Sequence, residues 1–210
     1  MKNEDPMPTS TGPIPAAKGA AAQSATAIGA GLLTLLVLVS AMPPLGTAAY
    51  LAGLPLAAED LGISTGAAQL TLTVYIIGMA VGQLVIGPLS DRLGRRVPLL
   101  VGIGAFVVFS AAIAFSPNLE VMLLLRLLQG ASASAGMVLG RAIVHDLVQG
   151  DRAARALNMI NAAILIVPAL APMLGSAVLA VADWRAIFLV LAALGAAIGV
   201  WSAIRIPETQ

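Results

Sequence analysis

Of the 210 residues, 59% are hydrophobic and only 10% charged, with a mean hydropathy of +0.97, whereas a soluble domain is about a quarter charged; water is not the main solvent of this chain. A formal charge of +1 excludes a nucleic-acid partner recruited by charge, so the positions of the charges matter more than their sum. The absence of cysteine removes disulfides, thiolate metal sites and cysteine nucleophiles, and the single histidine, His145, cannot build a multi-histidine metal centre, so neither metal nor cofactor is expected.

Residues 1–27 are rich in Pro, Ser, Thr, Gly and Ala without a hydrophobic period, and are expected to form a disordered cytoplasmic tail. A signal peptide is the competing reading. From about 28 to 56 no charge occurs, which at 1.5 Å per residue is about 40 Å of helix, enough for a first membrane span. Pro43 and Pro44 lack a donor N–H and should kink it. Further spans are expected at about 67–89, 97–115, 120–144, 156–182 and 185–204, each near the twenty residues that a crossing requires. A tight charged turn, Ser90 to Arg96, separates spans 2 and 3, and the polar stretch Asp146 to Arg155 separates spans 4 and 5. Residues 206–210 form a short end beyond the last span. The predicted fold class is all-α, a polytopic bundle of six transmembrane helices.

Counting Lys and Arg in short loops fixes the expected orientation. With the amino terminus inside, Lys2, Lys18, Arg92, Arg95, Arg96, Arg141, Arg152, Arg155 and Arg205 fall on the cytoplasmic side and only Arg185 outside. An even number of spans places both termini in the cytoplasm, in a cell inner membrane.

The turn after span 2 reads Gly87-Pro88-Leu89-Ser90-Asp91-Arg92-Leu93-Gly94-Arg95-Arg96. Gly87 and Gly94 permit close packing and a tight turn, and Asp91 suits a helix amino terminus. A plain basic loop obeying the positive-inside rule is the bland alternative. The spacing closely resembles the cytoplasmic signature of the major facilitator superfamily. That resemblance implies a latch between the two halves of a transporter, with Asp91 pairing across to a second half and the arginines bridging to an acid at the end of span 4, for which Asp146 is the candidate.

Arg126 is the one charge deep in an apolar run. At a helix centre arginine costs about 2.5–3.5 kcal/mol on insertion scales, so it should face the bundle or a water-filled cavity, unless it lies near enough the outer interface to snorkel. Arg126, Gln129 and Gly130 resemble the Arg-x-x-Gln-Gly motif on span 4 of drug exporters, which implies a part for Arg126 and Gln129 in proton coupling. In span 5, Pro168, Pro172 and Gly175 resemble the antiporter motif, with Ala171 and Ser176 in place of its flanking glycines; an ordinary kink is the alternative.

Tyr50, Leu54-Pro55, Gln69, Tyr75, Gly82-Gln83-Leu84, Asp183-Trp184-Arg185 and Ile206-Pro207-Glu208-Thr209 together resemble the bicyclomycin and chloramphenicol resistance (Bcr/CflA) group, over nearly everything after the tail. The resemblance implies proton-coupled efflux of small lipophilic drugs by the amino-terminal six-helix half of a two-half transporter. Its partners would be the lipid bilayer, drugs, protons, and a second copy or a separate carboxy-terminal half. Tyr50, Gln69, Tyr75 and Met79 are candidates for the substrate path, though packing explains each equally well. The group commonly carries an acid just before the span 1 tyrosine, where this chain has Ala48-Ala49. A proton site is then absent, moved to Glu59 or Asp60, or supplied by another part of the protein, and a non-transporting scaffold stands as the alternative function. An intramembrane enzyme would have to use Ser132 or Ser134, whose hydroxyls serve helix packing more often than catalysis; the chain is expected not to be an enzyme.

Overall fold

The computed structural model describes residues 29–206; the expected tail and the end at 207–210 lie outside the described residues. Seven helices follow in order: α1 (Ala30–Leu51), α2 (Leu54–Asp60), α3 (Thr65–Leu93), α4 (Arg96–Ile113), α5 (Leu119–Leu147), α6 (Asp151–Leu179) and α7 (Trp184–Arg205). All but the short α2 are long and apolar enough to cross a membrane. The six expected spans are therefore present.

Their ends differ from expectation in ways that the local chemistry explains. The first span stops at Leu51 instead of 56, and α2 takes up the remainder as a separate piece with Pro55 in its first turn, where a missing N–H does no harm. Gly53, in the break, lets this corner close onto α7: a Cβ there would stand 2.9 Å from Ile187 Cδ1 and 3.2 Å from Trp184 Cβ. α1 itself continues through Pro43 and Pro44 as one helix.

The turn expected at Ser90–Arg96 is much shorter, because α3 remains helical to Leu93. It ends where Gly94 takes a φ of 79°, a conformation that side chains bearing a Cβ rarely adopt. Likewise α5 runs to Leu147, and α6 starts at Asp151 directly after Gly150, so the polar stretch Asp146 to Arg155 is mostly helix. Ser64, Asn118 and Asp183 cap α3, α5 and α7 by accepting from the N–H groups of Ala67, Val121 and Ala186, at 3.2, 3.0 and 3.2 Å.

α1 and α5 form the centre. α3 and α4 pack on α5, α6 packs on α1, and α7 closes the bundle against α4 and α1. Close approach depends on missing side chains: a Cβ on Gly78 would overlap the Leu127 carbonyl, and one on Gly130 the Tyr75 carbonyl. Such backbone proximity supplies the dispersion that holds helices together where lipid gives no hydrophobic drive. α3 and α6 are the least covered spans, leaving Leu84 79%, Leu165 78% and Met173 68% exposed.

Candidate functional site

Arg126 sits near the start of α5, about 10 Å along the helix from Leu119. Its side chain is turned into the bundle and fully buried. Nη1 donates to the Gly46 carbonyl of α1 at 3.1 Å and to Gln129 Oε1 at 2.8 Å. Gln129 Nε2 donates in turn to Ser110 Oγ of α4 at 2.7 Å. A polar chain thus ties together α1, α5 and α4 inside the bundle.

Aromatic rings make up the rest of the enclosure. The guanidinium carbon lies 4.4 Å from the Tyr75 ring centroid, 5.2 Å from that of Tyr50 and 5.6 Å from that of Phe188. Each ring face presents its negative quadrupole to the cation, worth about 0.5–2 kcal/mol apiece when desolvated. Tyr75 donates its hydroxyl to the Pro43 carbonyl at 3.0 Å, which orients the ring. Arg126 Nε and Nη2 and the Tyr50 hydroxyl have no partner among the described residues. No carboxylate of the described residues enters this cage; Ala48 and Ala49 are both buried, and the described acids stand at helix ends and turns.

The second cluster lies at the Gly94–Arg95 turn. Arg95 donates from Nη1 to Asp91 Oδ1 at 2.6 Å and from Nε to Asp146 Oδ2 at 3.1 Å, and Nη1 also reaches Ser90 Oγ at 2.6 Å. Partial burial opposes its charge, but the hydrogen bonds to Asp146 and then Asp91 outweigh that and hold Arg95 above its ordinary range. Asp91 itself stands in the last turn of α3, so it meets no helix amino terminus there and pairs with Arg95 instead. Arg96 points the other way and donates to the Ala203 carbonyl of α7 at 2.8 Å. Arg92 is exposed and has no hydrogen-bond partner among the described residues. Gly87 faces open space, with nothing within 4 Å of where a Cβ would stand, and the Asp91 side chain is 65% exposed.

The remaining expected site residues fall in three places. Tyr50 and Tyr75 belong to the Arg126 cage, and Met79 lies half-buried where α3 approaches Gly130. Gln69 is apart from them, lining an open cleft of about 490 Å³ with Leu51, Pro55, Thr65 and Thr73. On α6, Gly175 packs under the Ala49 carbonyl of α1, whereas Pro168 is exposed and Pro172 half-buried.

Sequence reasoning missed Phe188, Ser110 and the Gly46 carbonyl as partners of the central pair. Aromatic or hydroxyl residues in an apolar helix carry no local signal of what they face. It also missed a clamp between α2 and α7, in which Asp60 accepts from Arg185 and, at 3.3 Å, from Trp184 Nε1, while the Arg185 guanidinium lies 4.4 Å from the Trp184 ring. The Arg185 hydrogen bond, outweighing partial desolvation, holds the Asp60 carboxyl below the usual range.

The family profile described as Major Facilitator Superfamily matches residues 22–210. The chain belongs to that superfamily. Among its relatives, an uncharacterized MFS-type transporter, YdgK of Bacillus subtilis, is 39% identical over 85% of this chain and 45% of its own length. A chloramphenicol resistance protein of Pseudomonas aeruginosa is 40% identical over 79% of this chain and 40% of its own, and multidrug resistance protein D of Escherichia coli 32% identical over 85% and 45%. The crystal structure of a D-xylose-proton symporter superposes with a TM-score of 0.73 at 15% identity, covering 85% of this chain and 48% of that one, which bears on the fold alone. The chain thus spans less than half the length of these relatives and is a multi-pass membrane protein, with six helices of membrane-spanning length among the described residues.

Proposed function

We propose that this chain is the amino-terminal half of a secondary transporter that exports small lipophilic drugs in exchange for protons, completed by a second six-helix half, either another copy or a separate polypeptide. One observation carries the reading: the defining residues of the α3–α4 signature divide between inward and outward tasks. Arg95 is fixed within the half by Asp91 and Asp146, while no neighbouring atom lies within 4 Å of where a Cβ on Gly87 would stand and the Asp91 side chain stays 65% exposed. A glycine facing open space beside a partly free carboxylate suits a helix of a second half arriving at α3. The kinship with drug and chloramphenicol resistance proteins supports the substrate class. The surplus of arginines near the Gly94–Arg95 turn supports a cytoplasmic position for it, and with it for both termini.

Arg126 and Gln129 serve the coupling by holding a fixed positive field in the core, which lowers the proton affinity of any carboxylate brought near it. Asp60 is a poor proton carrier near neutral pH, because Arg185 keeps it ionised. Glu59 is exposed in the last turn of α2, outside the Arg126 cage, so the exchanging carboxylate is assigned to the second half. The buried Ala48 and Ala49, with no described acid beside Arg126, favour a second reading in which the chain is a non-transporting scaffold. Efflux of a drug panel from cells expressing the chain, compared with its Arg126→Ala variant, separates the two: transport requires that the wild type lower accumulation and the variant not, and equal accumulation in both favours the scaffold.

A further inference from the structure

A groove lies on the bundle surface between α3 and α4, and none of its lining residues belongs to the Arg126 cage. It holds about 300 Å³ and is lined by Val81, Val85 and Leu89 on one wall and by Pro98, Val101 and Ala105 on the other, with Ser132 of α5 at its floor. Nearly every lining atom is apolar, the walls belong to two membrane spans, and Val85 and Val101 are 56% and 65% exposed.

Charge defines one end. Val81, Val85 and Leu89 recur at the spacing of one helix face, and the next residue of that stripe, three positions on, is Arg92. Arg92 is exposed and without an acidic partner among the described residues. Around it, Arg95 draws on both Asp91 and Asp146 and Arg96 is turned to α7, and Arg92 itself makes no ion pair among the described residues. The groove is thus an apolar slot ending in an unpaired cation at the level where a membrane's polar surface begins.

We propose that this slot binds one acyl chain of an anionic phospholipid whose phosphate pairs with Arg92. Apolar walls select a hydrocarbon chain, and the cation selects a net negative headgroup over a zwitterionic one. The gain per arginine near an anionic surface is about 1 kcal/mol, or about a fivefold preference. The inference does not depend on transport and stands or falls separately from it.

The test is native mass spectrometry of the full chain released from detergent after incubation with equimolar phosphatidylglycerol and phosphatidylethanolamine. The wild type is expected to retain one phosphatidylglycerol at about fivefold preference. Arg92→Gln, an exposed change that leaves the fold alone, should abolish the preference while lipid is still held, and Ala105→Phe, which fills the slot, should remove the retained lipid. Equal retention of both lipids by the wild type overturns the proposal, as does an undiminished preference in Arg92→Gln. Photo-crosslinking from Val85→Cys that captures a polypeptide instead of lipid also overturns it, by giving the groove to a partner helix.

Discussion

Replacing Gly130 by valine tests the packing that places Arg126. A Cβ at Gly130 would overlap the Tyr75 carbonyl oxygen and come within 3.0 Å of its carbon and 3.1 Å of Met79 N. All three are backbone atoms of α3, so no side chain can swing away, and α3 and α5 must separate along their longest shared contact. Overpacking costs about 1–3 kcal/mol when neighbours can shift; with only backbone to move, the upper end, about 3 kcal/mol, applies. Gly87→Val is the control, because no atom lies within 4 Å of its added group. Unfolding in detergent by titrated sodium dodecyl sulfate, followed by far-ultraviolet circular dichroism, measures both. Gly130→Val is expected to be about 3 kcal/mol less stable and Gly87→Val within about 0.5 kcal/mol of the wild type. A Gly130→Val protein as stable as the parent would refute the close α3–α5 approach and the position of the cage with it.

Other perturbations follow from the same contacts. Arg126→Met should change stability by less than about 1.5 kcal/mol, because the lost hydrogen bonds and cation–π contacts are offset by removing a buried charge; loss of efflux without loss of fold, read by transport and the same detergent titration, checks it. Asp146→Asn removes one charged acceptor from a partly exposed arginine and should cost at most about 1 kcal/mol in unfolding while impairing drug efflux, since the latch would lose its anchor on α5. The α2–α7 clamp should depend on acid. The Asp60 carboxyl is depressed in the folded state, so its contribution is complete above the ordinary aspartate value of about 4. It fades as the pH falls from there through the folded value. Fluorescence of Trp184 in a Trp201→Phe background should report that transition, and Asp60→Asn should abolish it.

The fold was legible because each span is a long, mainly apolar run in which charge is rare, a signal set by the bilayer itself. The helix ends were less so: Ser90 to Leu93 look like a loop by polarity, yet α3 carries them as its last turn until Gly94 forces the stop. Arg126 and Gln129 were legible as a pair from their one-turn spacing, and Arg95 with Asp146 from charge and the signature motif. Tyr50 and Tyr75 were found as aromatics of uncertain task, and the structure places both against the guanidinium. Phe188 and Ser110 were invisible, because their partners lie on helices 62 and 19 residues away in the chain. The clamp at Asp60 was hidden for the same reason.

Photo-crosslinking from Gly87 in native membranes addresses the two-half account most directly, since the natural chain has no cysteine to interfere. A benzophenone attached at Gly87→Cys is expected to capture a polypeptide, a second copy or a separate half, while the same probe at Val108→Cys, 62% exposed on α4, captures lipid. Lipid adducts alone at both positions would contradict the account.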